Sequence, residues 1–237
     1  MCTVSYFRNG EQSIVTSNRD EHKSRPLALA PKGEHAENGT LFYPKDPKAN
    51  GTWFCVKSDG SVFVLMNGAE KKHIQESYYR KSRGLILLEL VKSKDFLNAW
   101  LEIDLENIEP FTLIAVFNDS LWQLRWNGLE KNSLELDALK PHIWSSSTLY
   151  EEEANQRRKS WFVDFLDEKK GEVEPHDLWE FHAETKKEDS NNGLVISRET
   201  GMLTKNITQC AVSQKELSIR HLDLVTNELT HFIELRS

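Results

Sequence analysis

Residues 2–22 read "CTVSYFRNGEQSIVTSNRDEH". Two stretches rich in β-branched and aromatic residues, "CTVSYFR" and "QSIVTSN", flank Asn9-Gly10. Both of those residues tolerate the positive φ of a type I′ turn, so the spacing predicts a β-hairpin. A two-residue turn there sets a register of Arg8 opposite Glu11, Tyr6 opposite Ser13 and Cys2 opposite Ser17. Alternation then puts Arg19 on the face shared by Ser17 and Cys2. The second strand ends in Asn18, Arg19, Asp20 and Glu21, where a surface strand usually stops at Gly, Pro or a single turn residue. A solvated loop is the plain reading of such a charge run. The hairpin instead wraps the run around the start of the chain.

Chemistry gives that placement a use. Removal of the initiator Met before a small residue leaves Cys2 with a free α-amine. Its pKa of roughly 7.7–8.0 lies close to the thiol's ~8.5, so the amine can act as general base for its own side chain. Arg19 favours the thiolate, and Asp20 or Glu21 can orient the amine by hydrogen bonding. The bland alternative is an incidental Cys at position 2.

The rest of the chain alternates strands and helices. "TWFCVK" and "SVFVLMN" flank Ser58-Asp59-Gly60 as a second hairpin, and "SRGLILLELVKS" and "DFLNAWLEI" carry apolar residues at helical spacing. The basic stretch "KKHIQESYYRKSR", residues 71–83, reads as the start of the first of these helices. "FTLIAVFN", "LWQLRWN" and "HIWSSS" return to strand character. Thr148 and Glu151 form a capping box for a helix with Ala154, Trp161, Phe162, Phe165 and Leu166 along one side. A short helix, "HDLWEFHAE", follows Pro175, and the polar "TKKEDSNNG", residues 185–193, reads as a mobile loop. "GLVISRE", "NITQCAVSQ", "ELSIRHLDLV" and "ELTHFIEL" close the chain as strands. Strands, then helices, then strands, with hairpins throughout, predict one α+β domain over residues 1–237, with helices segregated onto antiparallel sheet.

Composition excludes several classes. A net charge of −7 over 237 residues leaves no basic face for phosphate, so no nucleic acid partner is expected. The longest apolar run, "LILLEL", is interrupted by Glu89, so no transmembrane segment is expected, and "MCTVSYFRNG" lacks the pattern of a secretory signal. Three cysteines, Cys2, Cys55 and Cys210, without metal-ligand spacing suit a reducing compartment, and the cytoplasm is the expected location. Cys55 and Cys210, mid-strand, read as small buried hydrophobes, and Trp53, Trp100, Trp144, Trp161 and Trp179 as core. His22 beside Asp20 and Glu21 finds no second ligand set, and no Gly-rich phosphate loop is present, so neither metal nor cofactor is expected.

"MC", "SNRDEHKSRP" and "GTWFCVKSDGSVFVLMNG" together resemble the transport-and-Golgi-organisation family, also called the NRDE family after its tetrapeptide. The match in order and spacing covers residues 1–92 and is traceable through "WSSSTLYEEEANQRRK" and "TKNITQCAV". The family's start is similar to that of N-terminal-nucleophile hydrolases of the choloylglycine hydrolase and penicillin V acylase type. That resemblance implies a four-layer αββα sandwich of two antiparallel sheets and cleavage of a non-peptide C–N amide bond through an acyl-thioester. Cys2, Arg19 and Asp20 fill the nucleophile, Arg and Asp places, with Asn18 beside them. Asn67, before Gly68, fits the oxyanion role or that of a turn residue. This chain departs from the acylases at three points. Arg19 and Asp20 are adjacent, so Asp20 and Glu21 compete to hold the amine; a turn at Arg19 would assign Asp20 to the amine and Glu21 to support. Ser147 stands where an Asn is usual, and Lys205 where an Arg is usual, which keeps charge but loses the bidentate fork. The resemblance implies a small-molecule amide or lipid-like ligand. It equally permits a non-catalytic protein that keeps the fold for a lipid, acyl-CoA or haem.

Overall fold

The computed structural model describes residues 3–236. The chain opens with β1 (Thr3–Asn9), β2 (Gln12–His22), β3 (Leu29–Ala36), β4 (Gly39–Lys45), β5 (Phe54–Lys57) and β6 (Val62–Asn67). Helices α1 (Arg83–Val91) and α2 (Phe96–Glu102) follow, then β7 (Phe111–Phe117), β8 (Ser120–Trp126), β9 (Lys131–Leu136) and β10 (His142–Ser145). After α3 (Glu152–Glu168) and α4 (Pro175–Glu184), β11 (Met202–Val212), β12 (Glu216–Asp223) and β13 (Glu228–Leu235) complete the described chain. All pairings are antiparallel and the helices pack onto the sheets, which makes the class α+β, as expected.

Two compact units result, residues 1–25 with 138–237 and residues 26–137. The first holds a six-stranded sheet in the order β10-β1-β2-β11-β12-β13, with α3 and α4. Its core joins Phe7 and Ile14 of the hairpin to Phe162 of α3, Leu178 and Phe181 of α4, and Leu194. Each fully buried side chain of this size contributes roughly 1.5–3 kcal/mol. The second unit holds a seven-stranded sheet, β3 through β9 in sequence order, with α1 and α2. Here Phe63 meets Phe96 at a ring distance of 4.6 Å, and Trp100 meets Phe111 at 5.9 Å. A Cβ on Gly51 would lie 2.5 Å from the backbone of Gly84, so glycine at both positions lets the start of α1 close onto the segment before β5.

The first hairpin forms, with a different turn. Gly10, at φ 57°, and Glu11 are the loop, while Asn9 pairs with Gln12. Arg8 therefore faces Ser13, Tyr6 faces Val15, and Ser17 faces Val4 instead of the expected Cys2. The cause lies beyond the hairpin: the Asn9 amide donates to Val173 O at 3.3 Å and Glu174 Oε1 at 3.0 Å, holding Asn9 in the strand. The shift is by two residues, so Arg19 keeps its place on the face of Ser17. The expected turn at Arg19 is absent, because β2 runs through Asp20 and Glu21 to His22.

Other expectations are also corrected. Residues 71–82 form no helix; α1 begins only at Arg83. The cap of α3 is Glu151, and the Thr148 hydroxyl bonds Ser146 Oγ at 2.9 Å, so the Thr148–Glu151 capping box does not form. A capping box closes α4 instead, from Glu174 and Asp177 with Pro175 at the first turn. Of "GLVISRE" only a bridge between Ser197 and Leu203 is strand-like. Residues 185–193 are a run of turns tied by Gly193 N to Asp189 O and Asp189 N to Lys186 O. Trp53, Trp100 and Trp179 are buried as expected, but Trp144, on edge strand β10, and Trp161 are half-buried.

Candidate functional site

β2 lies between β1 and β11, and Asn18, Arg19 and Asp20 are all buried. The sequence run that resembles a solvated loop is thus a central strand with both faces covered. Its burial requires a partner for every polar group, and alternation divides those partners into two sets.

The even-numbered residues face α3 and α4. Asn18 donates to His182 O at 3.0 Å and Leu194 O at 2.6 Å, so its Oδ1 is left to accept from His182 Nδ1 at 2.8 Å. That fixes the tautomer: Nδ1 carries the proton and Nε2 accepts from the Ser5 hydroxyl at 2.7 Å. Burial, with Arg158 adding, pushes the pKa of His182 down to about 3, which keeps the ring neutral. Asp20 accepts from Tyr150 OH at 2.7 Å and from the Thr204 hydroxyl, its cross-strand neighbour on β11. Tyr150→Phe is expected to cost about 1–3 kcal/mol by removing one donor from a buried carboxylate. An unchanged urea midpoint would contradict that.

Arg158 is fully buried on α3, and among the described residues its hydrogen bonds go to a hydroxyl and to carbonyls, none to a carboxylate. Its guanidinium donates to Thr3 Oγ1, to Asn192 O at 3.1 Å and to Gly193 O at 2.6 Å, and lies 3.5 Å from the centre of the Tyr150 ring. Carbonyl oxygens and an aromatic face replace its hydration. Sequence reasoning missed Arg158, Tyr150, Thr204 and His182. A signal for the first was available: Ala154, Arg158 and Phe162 share one helical stripe, so an Arg stands where the pattern calls for an apolar residue.

The odd-numbered face carries Ser17, Arg19 and Glu21 beside Asn206 and Thr208 of β11 and His221 and Asp223 of β12. Arg19 Nη2 lies 3.6 Å from Glu21 Oε2. Asn206 donates to Asp223 Oδ2 at 3.2 Å, and Thr208 Oγ1 meets His221 Nδ1 at 2.8 Å. Burial, reinforced by Arg19 and opposed by Asp223, brings His221 down to about 4. Ser17 Oγ and Asn206 Oδ1 are buried here without a hydrogen-bond partner. Lys205 occupies the bulge where the β2–β11 register shifts between Thr204 and Asn206. Its ammonium donates to Arg25 O and to Lys23 O at 3.3 Å, pinning the chain after β2. Burial and then Arg19 lower its pKa.

Ser147 lies in the turn between β10 and α3, its Oγ buried without a partner. Asn67 ends β6 opposite Phe111, in the second unit, before Gly68 at φ 81°. The pairing of Cys2 lies outside the described residues, and Arg19 and Asp20, expected in one pocket with it, project to opposite faces of β2. Cys55 and Cys210 are free and buried, and burial raises both thiols far above their usual range. Among the described residues no cluster of His, Cys, Asp or Glu is placed to hold a metal, and no helix is long and apolar enough to cross a membrane.

The fold is that of the N-terminal-nucleophile hydrolases. An N-acylethanolamine-hydrolyzing acid amidase ortholog from Caenorhabditis elegans superposes with a TM-score of 0.62 at 11% identity, over 88% of this chain and 92% of that one. An arginine-to-leucine variant of the conjugated bile acid hydrolase of Clostridium perfringens gives 0.62 at 8% identity, over 99% and 96%. A cysteine-to-alanine mutant of the same hydrolase gives 0.56 at 10% identity, over 98% and 96%. The chain belongs to the Transport and Golgi organisation 2 family, whose model matches residues 1–222. No curated protein matches the sequence significantly.

Proposed function

We propose that this protein is an N-terminal cysteine hydrolase acting on a non-peptide amide of a small, lipid-like molecule. The observation that carries the reading is the burial of Arg19 and Asp20 on a strand whose neighbour begins at Thr3, with Thr3 opposite Asn18. Ionisable side chains in the interior beside the chain's start cost desolvation without adding apolar contact, which favours a chemical use over a packing one. The amidase and the bile acid hydrolase that share the fold support amide substrates.

In this reading the Cys2 α-amine, freed by loss of Met1, takes the thiol proton. The sulfur attacks the carbonyl carbon and the C=O π electrons move to oxygen, giving a tetrahedral oxyanion. Collapse expels the amine, which leaves with the proton held by the α-ammonium. Water then cleaves the thioester, the α-amine serving again as base. Arg19 favours the thiolate and Glu21 holds Arg19; with no turn at Arg19, Asp20 is assigned to the amine because it is the buried one of the two carboxylates. Asn18, Ser147 and Lys205 support the arrangement, Lys205 by anchoring the chain after β2. Two buried free thiols suit a reducing compartment, and we assign the activity to the cytoplasm.

Intact mass spectrometry of natively expressed protein, before and after a thiol-directed acylating probe, tests the reading. Loss of Met1 and a single acyl adduct, absent in Cys2→Ala, are expected. A retained Met1, or adducts that persist in Cys2→Ala, would overturn it. Cys2 should also label well before Cys55 and Cys210, which become reactive only on unfolding.

The two carboxylates are separable. Asp20→Asn should slow Cys2 labelling far more than Glu21→Gln and shift its pH profile, since only Asp20 is assigned to the amine. Labelling rates against pH in both variants, each checked for an intact melting transition, decide this. The reverse order would move the role to Glu21.

A further inference from the structure

Four strands form the edges of the two sheets, β10 and β13 in one and β3 and β9 in the other. An edge strand presents free N–H and C=O groups to any passing chain, and proteins blunt it with proline, lysine, bulges or short length. β3 carries Pro31 and Lys32 at a shift in its register. β10 is 4 residues long and follows Pro141. β9 is 6 residues long and opens with Lys131, whose ammonium donates to Leu101 O at 2.7 Å and Ile103 O at 2.6 Å. β13 has none of these devices: it runs 8 residues in unbroken register with β12, without proline, lysine or bulge. On one of its faces Leu229, Ile233 and Leu235 are 53%, 54% and 80% exposed, with His231 between them.

We propose that β13 is an interface for a second copy of this chain, pairing antiparallel with its counterpart across a two-fold axis at Phe232. The strand's own sequence selects that register. A two-fold axis between antiparallel edge strands runs normal to the sheet and keeps each face on its own side, so the register must centre on a residue. Centred on Phe232, Leu229 meets Leu235 of the second copy, His231 meets Ile233, and Glu228 meets Arg236. Centring on His231 sets Glu228 against Glu234, a like-charge pair, which is unfavourable. Centring on Ile233 sets Phe232 against Glu234 and strips Leu229 of an apolar neighbour. Only the Phe232 register uses the whole strand, matches leucine to leucine and pairs opposite charges at both ends. The Arg236 guanidinium is held near that end by its bond to Ser213 O. Pairing makes the two six-stranded sheets continuous and joins their exposed apolar rows edge to edge.

Light scattering on size-exclusion eluates of the full chain, over a concentration series, reads the assembly directly. The expected result is a dimer, and at least a tenfold weaker dimer in Ile233→Lys with the melting temperature kept, because that side chain is exposed on the single copy. Residues facing each other across an antiparallel pair have Cα atoms about 4.5–5.5 Å apart, inside the range a disulfide spans, so Phe232→Cys should cross-link to itself under mild oxidation. Leu229→Cys should not, since its two copies would sit roughly 20 Å apart along the strands. A wild-type chain that is monomeric throughout the series overturns the proposal. So does a dimer indifferent to Ile233→Lys, or Leu229→Cys linking as readily as Phe232→Cys. Ile233→Lys decides the matter alone should Phe232→Cys not fold.

Discussion

Arg158→Ala is expected to lower stability by about 3–5 kcal/mol, through three donors lost from buried acceptors and the space left behind. For a chain of this length that corresponds to a fall in melting temperature on the order of 10 °C. The side chain joins three parts of the first unit: Thr3 at the start of β1, the carbonyls of Asn192 and Gly193, and the ring of Tyr150. Without it the buried Gly193 O and Thr3 Oγ1 lose a donor, as does the part-buried Asn192 O. Arg158→Lys should recover part of the loss, because an ammonium keeps the charge but cannot span the same acceptors as the planar fork. Calorimetry on both variants checks this. A melting temperature within 2–3 °C of wild type for Arg158→Ala, on the order of 1 kcal/mol, would show that the neighbouring carbonyls find other donors.

Acid should destabilise the fold well before its carboxylates titrate. His182 is lowered from 6.5 to about 3 and His221 from 6.5 to about 4. Between those values and 6.5 the unfolded chain binds protons that the folded chain excludes, so stability is full above pH 6.5 and falls as pH drops. Each histidine contributes up to about 1.4 kcal/mol per pH unit, so a loss of about 3–5 kcal/mol is expected between pH 6.5 and 4.5. The depressed carboxyls of Glu34, Asp59 and Asp177 act in the same direction only at lower pH, so this window isolates the histidines. Urea unfolding at several pH values measures the slope, and His182→Gln should remove about half of it, one of two comparable contributions. Stability that stays flat from pH 6.5 to 4.5 would mean that both rings protonate within the fold.

Features set by neighbours along the chain were legible in the order of residues alone. Gly10 and Gly60 announced their hairpins because positive φ is inexpensive only for glycine, and both adopt it. Pro175 and the apolar spacing after it announced α4, and the mid-strand positions of Cys55 and Cys210 announced their burial. The tetrapeptide at residues 18–21, with its surroundings, carried the family and through it the fold. Tertiary structure decided what those residues touch. Whether Asn9 or Gly10 begins the turn is a choice between two local geometries of similar energy, resolved by Val173 and Glu174 far along the chain. A charge run on a central strand looks, in one dimension, like a charge run on a loop. The partners that make its burial tolerable, His182 for Asn18 and Tyr150 and Thr204 for Asp20, stand 130 or more residues away. Periodicity and turn chemistry report interactions within a few residues, while the satisfaction of a buried polar group depends on which distant donor the fold delivers.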